Sequence, residues 1–113
     1  TLMPDAPLPN AMLTHDADAA VANADVVMTL RLQTERMQQG LLPNLNAYRR
    51  DYQINAERLR SAKPDCIVMH PGPIQRGVEI DDAIADGAQS LILEQVRNGV
   101  YVRAATLEYA LGE

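Results

Sequence analysis

The sequence predicts an α/β fold: part of a doubly wound parallel sheet with flanking helices and a long C-terminal helix. Three observations lead there. Two β-prone apolar runs, DVVMTLR (25–31) and CIVMH (66–70), have few polar interruptions and read as strands covered on both faces. Each run follows a helical pattern, which is α/β alternation. The last stretch repeats apolar residues every three or four positions, the mark of an amphipathic helix.

The totals bound this reading. A chain of 113 residues can form one small domain or part of a larger one. At 47% hydrophobic residues it is globular rather than disordered, and without Phe or Trp its core must be aliphatic. A net charge of −5 argues against nucleic acid or an anionic membrane surface as partner. A local arginine pair could still hold a small anion. Cys66 has no second cysteine to bridge to, so a reduced, buried thiol is expected. With two His, one Cys and no glycine-rich phosphate loop, neither a metal nor a cofactor is expected. No run approaches the about 18 apolar residues of a membrane span, and TLMPDAPLPN does not resemble a signal peptide. The expectation is a soluble, cytoplasmic protein, and a first residue other than Met points to a fragment or a processed product.

Taken in order, residues 1–10 carry three prolines and read as extended loop. AMLT (11–14) is a candidate short strand. Asp16 is placed to cap the alanine-rich helix that follows, with acidic residues in its first turn where the helix dipole favours them. After the first long strand, Leu45, Tyr48 and Tyr52 have helical spacing beyond Pro43. In INAERLRSAKPD, Asn55 is a good N-cap, flanked by Ile54 and Leu59 as a hydrophobic staple, and Pro64 ends the helix. Beyond the second strand, Asp86 and Gln89 resemble a capping box opening the long helix. Its stripe is Leu93, Val96, Val100, Ala104, Leu107 and Leu111. Gly99 within it suggests a close backbone contact. Gly77 reads as a turn residue, and Asp81 and Asp82 as a solvated pair. The sum is a piece of a Rossmann-like sheet with at most three strands.

Ligands of such sheets bind beyond the carboxyl ends of the strands, and both runs end in chemically loaded loops. In TLRLQTER, alternation puts Arg31 and Gln33 on one side and Leu32 on the other. A guanidinium grips a carboxylate bidentately and the amide adds a directional hydrogen bond, so the pair is a candidate carboxylate clamp. The same residues would also suit an ordinary strand end paired with Glu35. In HPGPIQRG, Pro71 and Pro73 have no N–H and bias their neighbours away from helix. Their carbonyls then suit a ligand that brings its own N–H groups, with Gly72 allowing close approach and Arg76 adding positive charge at the mouth. Gly72–Pro73 is a candidate cis bond. A rigid connector without a ligand is the competing reading. A lone His70 at a strand end is more often packed and hydrogen-bonded than catalytic.

Three blocks, ADVVMTLRLQTERM, AKPDCIVMHPGPIQRGVEI and SLILEQVRNGVYVRAATL, resemble the aspartate carbamoyltransferases in order and approximate spacing. The related ornithine enzymes typically carry an Asp-x-x-x-Ser-Met-Gly block and an H-C-L-P loop, and neither occurs here. The resemblance implies that residues 1–113 are the C-terminal portion of an L-aspartate-binding domain whose carbamoyl-phosphate domain is absent. The implied reaction makes N-carbamoyl-L-aspartate and phosphate from carbamoyl phosphate and L-aspartate, early in pyrimidine synthesis. It also implies that Arg31 and Gln33 hold aspartate, that Pro71, Gly72 and Pro73 lie against the carbamoyl group, and that Arg76 stands near an arginine of the family, in a stretch where loop length varies. Some family members carry leucine where Gly72 stands, so the backbone matters more than the side chain. Implied partners are the rest of the catalytic chain, a homotrimer, and in some members regulatory or dihydroorotase-like chains. No residue of this chain is implied as catalytic; the phosphate-binding segments of the family lie upstream, and the chain alone is expected to be inactive. The competing functional classes are a non-catalytic binding or assembly module and a carbamoyltransferase for another amino acid.

Overall fold

A computed structural model describes residues 9–33 and 44–112. Its elements run α1 (Ala17–Val21), β1 (Val26–Met28), α2 (Leu45–Tyr52), α3 (Ala56–Leu59), β2 (Ile67–Met69), α4 (Asp82–Ala85) and α5 (Ile92–Leu111). β1 and β2 are adjacent and parallel, in register Val26↔Ile67, Val27↔Val68, Met28↔Met69. On its other side β2 is bonded to the segment before α5: Val68 N–H donates to Gln89 (2.8 Å), and Leu91 N–H donates to Val68 (2.9 Å). The sheet is therefore small and parallel, with β2 at its centre, as the alternation requires.

Local chemistry sets most helix starts. The Asp16, Asn44 and Asn55 side chains accept from the N–H of Ala19, Ala47 and Arg58, each supplying a partner to a donor that the first helical turn leaves unpaired. Ile54 and Leu59 both join the core, as the staple predicts. The core is aliphatic, built from Val21, Val27, Ile54, Leu59, Val68, Ile80 and Ile92, with Cys66 fully enclosed. Burial pushes the Cys66 thiol up from its ordinary value. Beneath this core Arg58 ties three helical segments together. It donates to Asp18 Oδ1 (2.6 Å), to the Gln53 carbonyl (2.6 Å) and to the Arg50 carbonyl (3.2 Å).

Several expectations change. Residues 11–14 form no strand. The strands are shorter than their apolar runs, and β1 is covered on one face only: Val27 is buried while Val26 and Met28 are 49% and 57% exposed. The long helix starts at Ile92, not near Asp86, which closes α4, while the Gln89 side chain donates to the Cys66 carbonyl (2.9 Å). β2 claims that stretch as a ladder partner, and this delays the helix. The apolar stripe of α5 lies open among the described residues, with only Ile92 buried. A Cβ on Gly99 would meet the Arg103 guanidinium at 3.2 Å, so no neighbouring backbone approaches there. The reading of residues 1–8 as loop lies outside the described residues. Among those described, no helix is long and apolar enough to cross a membrane.

Candidate functional site

Parallel pairing places the carboxyl ends of β1 and β2 on one edge of the sheet, and Thr29 N–H extends the ladder to the Met69 carbonyl (3.1 Å). Arg31 and Gln33 follow β1, and His70 follows β2. Leu32 is buried between the exposed Arg31 and Gln33, so the alternation expected from the sequence holds. Glu35, the alternative partner named for Arg31, lies outside the described residues.

The second loop is built around a buried pair that sequence reading left unassigned. His70 and Glu79 are 0% and 1% exposed, with Nε2 and Oε1 at 3.1 Å. Gly72 N–H donates to His70 Nδ1 (2.8 Å). An Nδ1 that accepts leaves the ring proton on Nε2, so the imidazole donates to Glu79. The same Glu79 oxygen accepts from Gln75 N–H (2.7 Å). From α5, Gln95 Oε1 accepts from the His70 backbone N–H (2.9 Å). His70 is thus packed and hydrogen-bonded, as a lone His at a strand end usually is. The sequence did hold a signal for its partner: Glu79 sits between Val78 and Ile80, an acidic residue inside an apolar triplet.

Pro71 and Pro73 are exposed, and the Gly72–Pro73 bond is cis. Among the described residues, no hydrogen bond reaches the carbonyls of Pro71, Gly72 or Pro73. Gly72 adopts φ +73°, and a Cβ there would meet Val96 Cγ2 at 3.2 Å. In this chain the position favours glycine on both counts. Gly77, at φ +69°, makes the expected turn by donating to the Ile80 carbonyl (2.9 Å).

Arg76, expected to add positive charge at the mouth, is ion-paired within the chain. It forks onto Asp86, with Nη1–Oδ2 at 2.7 Å and Nη2–Oδ1 at 2.9 Å, and reaches Asp82 at 3.2 Å. These carboxylates push its guanidinium still further up, and Arg76 in turn holds the Asp86 carboxyl below its usual range. Asp82 is exposed, and Asp81 occupies the N-cap position of α4 without a side-chain cap bond.

A cavity of about 350 Å³ opens along β1, lined by Val27, Thr29, Tyr48, Tyr52 and Glu79 among others, but by none of Arg31, Gln33 or Pro71–Pro73. Burial first, then the Glu79 carboxylate, pushes the Tyr48 phenol up. The candidate site therefore lies apart from this cavity, at the sheet edge. It presents a cation and an amide on one strand end and, on the next, carbonyls that accept no hydrogen bond among the described residues.

Comparison with known proteins shows the family and the fold. Residues 9–110 match the family model described as Aspartate/ornithine carbamoyltransferase, Asp/Orn binding domain. An aspartate carbamoyltransferase catalytic subunit of Xylella fastidiosa is 53% identical over 108 residues, covering 96% of this chain and 34% of that protein. Among solved structures, the ornithine carbamoyltransferase of Pyrococcus furiosus matches with a TM-score of 0.73 and 30% identity over 83% of this chain and 30% of that one. An aspartate transcarbamoylase of Trypanosoma cruzi, in complex with carbamoyl aspartate and phosphate, matches with a TM-score of 0.66 and 35% identity, covering 83% of this chain and 28% of that one. The chain thus spans about a third of the length of the relatives it matches.

Proposed function

The chain belongs to the aspartate/ornithine carbamoyltransferase family through its Asp/Orn-binding domain, and on that premise we propose that it forms the amino-acid-binding wall of an aspartate carbamoyltransferase. The carrying observation is the parallel register, which puts the Arg31 and His70 loops on one sheet edge. The exposed Arg31 and Gln33 suit the carboxylates of L-aspartate. The carbonyls of Pro71, Gly72 and Pro73 suit the amine of a carbamoyl group.

In this reading, aspartate nitrogen attacks the carbamoyl carbon, the bond from that carbon to the phosphate oxygen breaks, and phosphate leaves with the bonding pair. The amine proton passes to phosphate or solvent. These loops hold the two reactants side by side, which replaces a bimolecular encounter by an effectively intramolecular one. Arg76 belongs to the reading only as a residue that would have to leave Asp86 and Asp82 to reach a ligand. The phosphate-binding donors come from the rest of the catalytic chain, and the open faces of β1 and α5 suit packing against further protein. A cytoplasmic homotrimer, with regulatory or dihydroorotase-like chains in some members, follows from the family resemblance.

The test is carbamoylation by the full-length chain carrying this segment, with L-aspartate and L-ornithine compared. Aspartate should be preferred by about 100-fold or more, the scale on which a site built for a charged group rejects a ligand lacking it. Equal turnover or an ornithine preference would overturn the substrate. No turnover with any amino acid would favour a non-catalytic module.

A further inference from the structure

We propose that His70 and Glu79 are positioning residues that set the carbamoyl-contacting backbone, with the imidazole acting as a strut between Gly72 N–H and the Glu79 carboxylate. This inference rests on the carbamoyltransferase reading and deepens it.

The geometry is specific. The His70 ring bonds at both nitrogens: Nδ1 accepts from Gly72 (2.8 Å) and Nε2 meets Glu79 Oε1 (3.1 Å). Glu79 Oε1 also accepts from Gln75 (2.7 Å), so one carboxylate oxygen ties two points of the loop that begins at His70. Gln95 of α5 takes the remaining His70 donor, its backbone N–H, at 2.9 Å. Pro71 and Pro73 contribute no N–H, which leaves Gly72 as the donor between them that can anchor the turn. Its bond to Nδ1 fixes the Pro71–Gly72 peptide plane, and with it the direction of the Pro71 carbonyl. An imidazolium cannot serve, because Nδ1–H would face Gly72 N–H, donor to donor. His70 and Glu79 are fully enclosed, so neither touches substrate and both act through the backbone.

The experiment compares His70→Asn with His70→Gln in the full-length chain. The Asn oxygen can stand where Nδ1 stands and accept from Gly72, whereas the Gln amide reaches towards Glu79 instead. His70→Asn should retain a kcat at least about tenfold above His70→Gln, the value of one well-placed hydrogen bond to a reacting loop. In His70→Gln the KM for carbamoyl phosphate should rise while that for aspartate stays. Glu79→Gln, which keeps an acceptor oxygen, should recover most of what Glu79→Ala loses. Equal kcat in the two His70 variants, or kcat falling only in step with Tm, would overturn the proposal. Amide exchange at Gly72 gives a readout without turnover: protection kept in His70→Asn and lost in His70→Gln supports the strut, and equal protection overturns it. Failure of the wild type to carbamoylate aspartate would overturn the substrate reading instead, and Gly72 exchange would still decide this one.

Discussion

The two loops at the sheet edge share an address and differ in construction. The His70 loop is closed on itself, with its histidine, its carboxylate and its central glycine N–H tied together under burial. The Arg31 segment buries Leu32 and leaves Arg31 and Gln33 exposed. The first is held by hydrogen bonds among its own residues, and the second places a cation and an amide at the surface. The proposed transfer would have use for both: a preorganised wall beside the electrophile and exposed charge for the nucleophile's carboxylates.

The largest expected effect tests the exposed side. Arg31→Ala in the full-length enzyme should raise the KM for aspartate by about 100-fold, near 3 kcal/mol, as expected for a lost charge-assisted pair. Its Tm should stay within about a degree, because an exposed side chain carries little of the fold. The KM for carbamoyl phosphate should be nearly unchanged, the reverse of the pattern expected for His70→Gln. An unchanged aspartate KM would remove the clamp and with it the comparison.

The difference between the loops also explains what the sequence made legible. Period-two alternation is local, so the outward Arg31 and Gln33 and the buried Leu32 could be read directly. Cap chemistry is local too, and Asp16 and Asn55 stand where their side chains predict. The His70–Glu79 pair spans nine positions through a turn, and no periodicity encodes such a contact. The ion pairs of Arg76 were hidden for the same reason: its partners Asp82 and Asp86 come from the next helix, and only the fold delivers them. Apolar runs announced buried strands correctly but overstated their cover, since hydrophobicity records that a face is suited to burial and not what buries it. The open sides of β1 and α5 are the result.

The closed loop should answer to backbone geometry where the open one answers to charge. Gly72→Ala must place an L-residue at φ +73° and a methyl 3.2 Å from Val96 Cγ2. The dihedral alone costs about 1–2 kcal/mol, so Tm should fall by about 2–4 °C. Adding Val96→Ala should relieve the contact but not the dihedral, leaving part of the loss in place. Full recovery in the double variant would mean that crowding, not conformation, reserves the position for glycine.

The smallest effect lies far from the sheet edge and separates stability from activity. Arg58 is buried, Asp18 is 71% exposed, and they meet at 2.6 Å. The hydrogen bond from Arg58 holds the Asp18 carboxyl below its ordinary value. A carboxyl depressed in the folded state contributes stability above its unfolded pKa of about 3.9 and loses it as pH falls through the folded value. Wild-type Tm should therefore fall more steeply than that of Asp18→Asn between about pH 5 and pH 2, and the two should converge at the acid end, where Asp18 is protonated in both states. The pH profile of carbamoylation should be the same in both proteins, because this pair joins α1 to α3 and touches neither loop. A shifted activity profile would tie the helical underside to the sheet edge and dissolve the contrast between a self-bonded loop and an exposed one.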